Sequence, residues 1–130
     1  MIRSIIALVG GFAIMVFLVF LLTIAAAAAF GVGDGRPGTA FVIASLMLSA
    51  VAAFTGGFAT AALAPSRSFA HTIGLAVMVL AMALSSLGHP QPGQPGWYPT
   101  AIAAIGPLLA LIGGGFRRWQ RHARQPAIAS

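Results

Sequence analysis

The chain has 130 residues, 59% of them hydrophobic and only 6% charged, with a mean hydropathy of +0.99. A soluble domain carries about a quarter charged residues, so this chain lacks the polar surface to face water and reads as one all-α integral membrane unit. Its seven cations are all arginine against a single acid, Asp34, and Lys, Glu, Asn and Cys are absent. Disulfides, thiolate chemistry and paired-carboxylate catalysis are thereby excluded, and the arginine excess reads as a topology signal and not as a nucleic-acid one.

After Arg3, the stretch from Ile5 to Phe30 runs uncharged for 26 residues. At about 1.5 Å per residue it measures roughly 39 Å, longer than the ~30 Å hydrocarbon core of a bilayer. The Ala25–Ala29 run offers a signal-peptidase-like site, but the apolar stretch is far longer than the usual ~7–15 residues of a signal peptide. A first span over 5–30 is expected. Gly31-Val-Gly-Asp-Gly-Arg-Pro-Gly38 is a turn by composition, with Asp34 beside Arg36.

The second span is expected over 39–64, closed by Pro65, and the rest of the bundle should be organised around it. At a spacing of four, Ser45, Ser49, Ala53, Gly57 and Ala61 are all small, as are Ala52, Gly56, Thr60 and Ala64 on the adjoining strip. Leucine gains nothing by leaving lipid, so helices in a membrane associate by close backbone approach along such small-xxx-small rows. The link 64–68 is short enough to make the next helix adjacent and oppositely directed. A third span is expected over 69–87, with His71 in its first turn.

Residues 88–96 hold glycines, prolines and glutamines that no helix crosses. A fourth span follows over 99–116, with Pro99 suited to its first turn and Pro107 expected to kink it by leaving the Ala103 carbonyl without its partner. Trp97, Tyr98 and Trp119 would sit at headgroup levels. Gly106, Ala110 and Gly114 again repeat at four. The tail 117–130 is basic: Arg117, Arg118, Arg121 and Arg124 are spaced to share one side of a continued helix, where they can grip anionic headgroups at roughly 1 kcal/mol each or dock on a partner. Thr55-Gly-Gly-Phe58 and Gly113-Gly-Gly-Phe116 form a faint internal echo.

Four spans put Arg3, Arg67, Arg117, Arg118, Arg121 and Arg124 on one side and Arg36 alone on the other. The positive-inside rule then predicts an antiparallel four-helix bundle in a bacterial inner membrane, with both termini cytoplasmic.

Few residues can carry chemistry. No Asp, Glu, Lys or Arg falls inside the expected spans, which argues against ion-coupled transport. No serine has both a histidine and a carboxylate on its side of the membrane, and the three histidines lack metal-ligand spacing. The glycine pairs Gly10-Gly11 and Gly56-Gly57 lack the strand, helix and lysine of a phosphate loop and read as packing. His71 is the one ionisable group near the bilayer interior. It is expected to hydrogen-bond at the interface, with single-histidine chlorophyll ligation as the alternative and bis-histidine haem disfavoured because His89 and His122 lie at other depths.

Around Gly56-Gly57, Ala61, Ala64, His71 and Gly74, then Pro95-Gly-Trp97-Tyr98 and Gly113-Gly114 before Arg117, the chain resembles small bacterial four-span membrane proteins that have no assigned activity. The resemblance covers roughly residues 54–118 and implies four helices and a cytoplasmic histidine, with no functional residue to carry over. Fluoride channels and small multidrug exporters are similar in size, but the former need an asparagine and the latter a glutamate that this chain lacks.

The expected role is therefore non-enzymatic, without a cofactor and without nucleic acid. The protein would be a packing or accessory subunit, with another membrane protein or its own copies as partner and the surplus of small-residue surface as the reason. The alternative is a passive channel or carrier for a small neutral or hydrophobic solute, whose polar path would have to use Ser45, Ser49, Thr55 and Thr60.

Overall fold

In a computed structural model, residues 2–31, 38–64, 68–89 and 93–124 are described. Among them the chain forms four helices, α1 (Ile2–Ala29), α2 (Thr39–Leu63), α3 (Ser68–Leu87) and α4 (Tyr98–Ala123), and no strand. Each helix is long and apolar enough to span a membrane. The expectations placed on Asp34, Arg36, Pro65 and Arg67 lie outside the described residues.

The helix ends follow local chemistry. Gly31 takes a left-handed φ of +60°, which glycine adopts without a Cβ clash, and its N–H reaches back to the Ala28 carbonyl at 3.4 Å, ending α1. At the end of α2 the Ala64 N–H closes on the Thr60 carbonyl at 3.1 Å, and the following proline in the sequence cannot extend the helix. Pro99 falls in the first turn of α4, where its missing N–H costs nothing. The helix then passes through Pro107 and runs seven residues beyond the expected end at 116, so the start of the basic tail is helical.

Burial is the reverse of a soluble core. The interior is mostly alanine and glycine: Ala52, Ala61 and Ala110 are fully buried, whereas Phe17 and Phe20 are 64% and 67% exposed. That is the arrangement lipid favours, since large side chains lose nothing among acyl chains while small ones permit close helix approach. A central cluster joins all four helices through Met15, Ala52, Ala53, Leu75, Ala76, Val79 and Ala110.

Helix α2 touches each of the other three, most extensively α4 and α1. Helix α3 packs chiefly on α4, and no Cα of α1 comes within 8 Å of one of α4. Gly11 meets Thr60 and Met15 meets Gly56, so position rises along α1 as it falls along α2. Thr72 meets Gly114 and Val79 meets Gly106, giving the same opposed sense for α3 and α4. Along α2 and α4 position rises together, from Phe54 against Gly113 to Ala61 against Arg121. One end of the bundle therefore gathers the end of α2, the end of α4 and the starts of α1 and α3; it is called the arginine end below.

Candidate functional site

The two small strips of α2 serve different neighbours. On the strip Ala52, Gly56, Thr60, Ala64, α1 comes close enough that a Cβ at Gly56 would lie 2.7 Å from Met15 Cβ. A Cβ at Gly11, across from it, would overlap the Thr60 side chain, whose hydroxyl is spent on the Gly56 carbonyl at 2.9 Å. On the strip Ser49, Ala53, Gly57, Ala61, the neighbour is α4. A Cβ at Gly57 would lie 2.7 Å from the Ala110 carbonyl carbon, and one at Gly113 would lie 3.0 Å from the Phe54 carbonyl carbon. These are backbone-to-backbone contacts. In α4, Gly114 faces the Thr72 side chain of α3, and a Cβ at Gly106 would stand 3.1 Å from Val79 Cγ1. The two Gly-Gly-Phe echoes meet where a Cβ at Gly113 would lie 3.1 Å from the Phe58 nitrogen, and beside them the Phe54 and Phe116 rings are 6.2 Å apart.

Three of the four tail arginines make contacts within the bundle. The Arg121 guanidinium donates to the carbonyls of Ala61 at 2.9 Å and Ala62 at 3.1 Å, and lies 3.5 Å from that of Ala64. It sits on the last turn of α2, where unpaired carbonyls and the negative end of the helix dipole favour a cation. Arg117 lies over the Phe58 ring at 5.4 Å and donates to Gln120 Oε1 at 3.4 Å, and Arg118 lies over the Phe69 ring at 5.9 Å. Arg124 is exposed. His71 is half-buried in the first turn of α3 at the same end and is not free of partners.

Towards the other end the helices enclose a partly open apolar cavity of about 230 Å³. Met15 and Val19 line it from α1, and Leu46, Ser49, Ala50 and Ala53 from α2. The rest of the wall is Val79, Met82, Ala83 and Ser86 of α3 with Ile102, Ile105 and Gly106 of α4. No lining residue is charged. Of Ser45, Ser49, Thr55 and Thr60, only Ser49 borders the cavity; Thr55 bonds the Val51 carbonyl at 2.8 Å, and Thr60 is sealed against α1. Among the described residues the bundle therefore presents an apolar chamber and no row of polar groups along it. Nothing in the sequence singles out Val79, Met82, Ile102 or Ile105, because each is an ordinary large apolar residue in its own span.

Among the described residues no group of three His, Cys, Asp or Glu side chains stands close enough to hold a metal ion. No family model matches the chain, and neither a curated protein nor a solved structure matches it.

Proposed function

We propose that this protein is a non-enzymatic integral membrane protein that holds a small neutral hydrophobic molecule inside its bundle, as a carrier or a passive binding site. The observation that supports this most is the cavity: all four helices contribute to it, none with a charged group. Pockets that bind small molecules are mostly apolar with few polar groups, and apolar cavities even smaller than this one accept benzene-sized guests. No cofactor is part of the proposal. A pigment held through His71 would sit at the arginine end, away from the cavity.

The same reading places the protein in a bacterial inner membrane with both termini in the cytoplasm, on the strength of the six-to-one arginine asymmetry. The test is reconstitution in vesicles with a panel of neutral lipophiles, comparing wild type with Ala50→Phe, which fills the chamber. Binding or flux lost in that variant supports the reading, and wild-type vesicles indistinguishable from empty ones refute it.

A second reading, an accessory subunit or homo-oligomer, has one specific support. Leu22, Ala25, Ala26 and Ala29 of α1 and Ala44, Met47 and Leu48 of α2 border a shallow groove on the outside of the bundle, open to a neighbouring helix. The small rows that first suggested association are otherwise taken up within the bundle, by Gly11, Gly56, Gly57, Gly113 and Gly114. Recovery of a stoichiometric partner or a homo-oligomer from mild detergent, abolished by Ala25→Leu or Ala29→Leu, would favour this reading over the first.

A further inference from the structure

The arginine end carries cations with nothing to balance them. None of the described residues is an Asp or a Glu, since the one acid of the sequence, Asp34, lies outside them. Yet the end of α4 holds Arg117, Arg118 and Arg121, with Arg124 as its cap. These arginines are not equivalent. Arg121 is spent: its terminal nitrogens lie on the carbonyls of Ala61, Ala62 and Ala64, at the negative end of α2. Arg117 and Arg118 are held in place without being spent. Arg117 rests over the Phe58 ring with one long bond to Gln120 at 3.4 Å, and its Nε is buried with no acceptor. Arg118 is exposed, rests over the Phe69 ring, and hydrogen-bonds nothing among the described residues. A ring face attracts a guanidinium but supplies no acceptor oxygen for its five N–H donors.

The surroundings fix the level at which this end sits. Phe116 and Trp119, the chain neighbours of the two arginines, are 43% and 65% exposed, with ring centroids 5.9 Å apart. An exposed tryptophan beside arginines at the end of an apolar span marks the headgroup layer. An unsatisfied guanidinium N–H is uncommon, and here it points to an acceptor that comes from outside the chain. We propose that Arg117 and Arg118 bind the phosphate of an anionic phospholipid, and that Arg121 takes no part in the site. A guanidinium fork matches phosphate oxygens, and the exposed rings of Phe116 and Trp119 give the tails an apolar bed. A zwitterionic lipid brings its own cation, which uncompensated arginines repel, so the site prefers a headgroup with net negative charge. Arg118 can receive the phosphate as it stands, whereas Arg117 must turn its stem to uncover Nε.

Fluorescence quenching tests this on the full chain. With Trp97→Phe as the background, Trp119 is the only tryptophan left. The protein is placed in phosphatidylcholine vesicles in which brominated phosphatidylglycerol, or brominated phosphatidylcholine as the reference, replaces a rising share of the lipid. Two arginines should make phosphatidylglycerol quench Trp119 with a preference of about twenty-five-fold, and Arg118→Gln should cut that preference about fivefold. The double variant Arg117→Gln, Arg118→Gln should abolish it; should that variant fail to fold, Arg118→Gln alone decides, since its side chain is exposed. Arg121→Ala should lower the melting temperature and leave the preference as it was. Equal quenching by the two lipids in the Trp97→Phe protein would overturn the proposal. So would a preference that survives Arg118→Gln undiminished, or one that is lost in Arg121→Ala. Displacement of the lipid by millimolar inorganic phosphate would show that a free anion is the ligand, and would overturn the assignment to a lipid.

Discussion

Three neighbouring glycines of α4 offer an internal control on how the bundle is held. A methyl at Gly113 would be driven into the Phe54 carbonyl and lie 3.1 Å from the Phe58 nitrogen, and both obstacles are backbone of α2. Backbone inside a helix cannot rotate away as a side chain end can, so Gly113→Ala must push α4 off α2. A methyl at Gly115 would meet nothing within 4 Å. Overpacking costs about 1–3 kcal/mol, whereas alanine in place of an unconstrained helical glycine gains about 0.5–1 kcal/mol. Two substitutions of identical chemistry, two residues apart, should therefore differ in sign and by about 1.5–4 kcal/mol in total. Gly57→Ala, which meets the Ala110 carbonyl group, should behave like Gly113→Ala. The readout is the apparent melting temperature in mild detergent, which moves by about 2–8 °C per kcal/mol for chains near this size. Equal melting temperatures for Gly113→Ala and Gly115→Ala would refute backbone contact as what joins α2 to α4.

Further outcomes follow from the arginine end and from topology. Arg121→Ala should cost about 1–2 kcal/mol by uncovering the last carbonyls of α2, seen as a lower melting temperature; Arg121→Lys should recover only part, because an ammonium cannot fork across several carbonyls. Ser45→Ala should leave the unliganded protein as stable as wild type or slightly more so, since it removes an unsatisfied polar atom, and a marked loss would show that the hydroxyl already has a partner. Reporter fusions after Gln125 and within residues 31–37 should read cytoplasmic and external respectively, and a cytoplasmic signal from the 31–37 loop would refute the two-termini-in arrangement.

The four helices were legible because each is a long uncharged run bounded by glycine or proline, a signal that survives without any tertiary knowledge. That α1 and α4 pack against α2 was also legible, because only α2 carries two complete small strips, whereas α3 packs chiefly on α4. What the strips could not say is that one serves α1 and the other α4; that depends on crossing angles, which composition does not encode. The end of α4 was misplaced for a different reason. Arg117 and Arg118 broke the apolar run at 116, but the helix continues to Ala123, where Phe58, Phe69 and the carbonyls of Ala61 and Ala62 are close to the guanidinium groups. An arginine that reads as lipid-facing in a linear sequence can be a cap for a helix sixty residues away. The cavity was illegible altogether, since it is made by spacing between large apolar residues that look alike in every span.

The chamber follows from an asymmetry between the two ends of the bundle, and that asymmetry predicts how stability should respond to a ligand. Near the arginine end glycine meets the backbone of the facing helix, at Gly57 with Ala110 and at Gly113 with Phe54. Towards the other end the small residues of α2 share the cavity wall with Val19, Ile102 and Ile105, and no Cα of α1 comes within 8 Å of one of α4. At about 24 cal/mol per Å³, an enclosed empty void near the observed size would cost on the order of 5 kcal/mol. A molecule that fills the chamber should relieve part of that cost and bind only the folded state. Linkage then requires the melting temperature to rise with its concentration, by the equivalent of about 2.7 kcal/mol at a hundredfold excess over Kd. With 1-decanol as the probe, wild type should shift upward dose by dose, and Ala50→Phe should start higher and stay flat. A wild type that ignores decanol, beside an Ala50→Phe variant that is no more stable than wild type, would show that the chamber is neither empty nor a binding site.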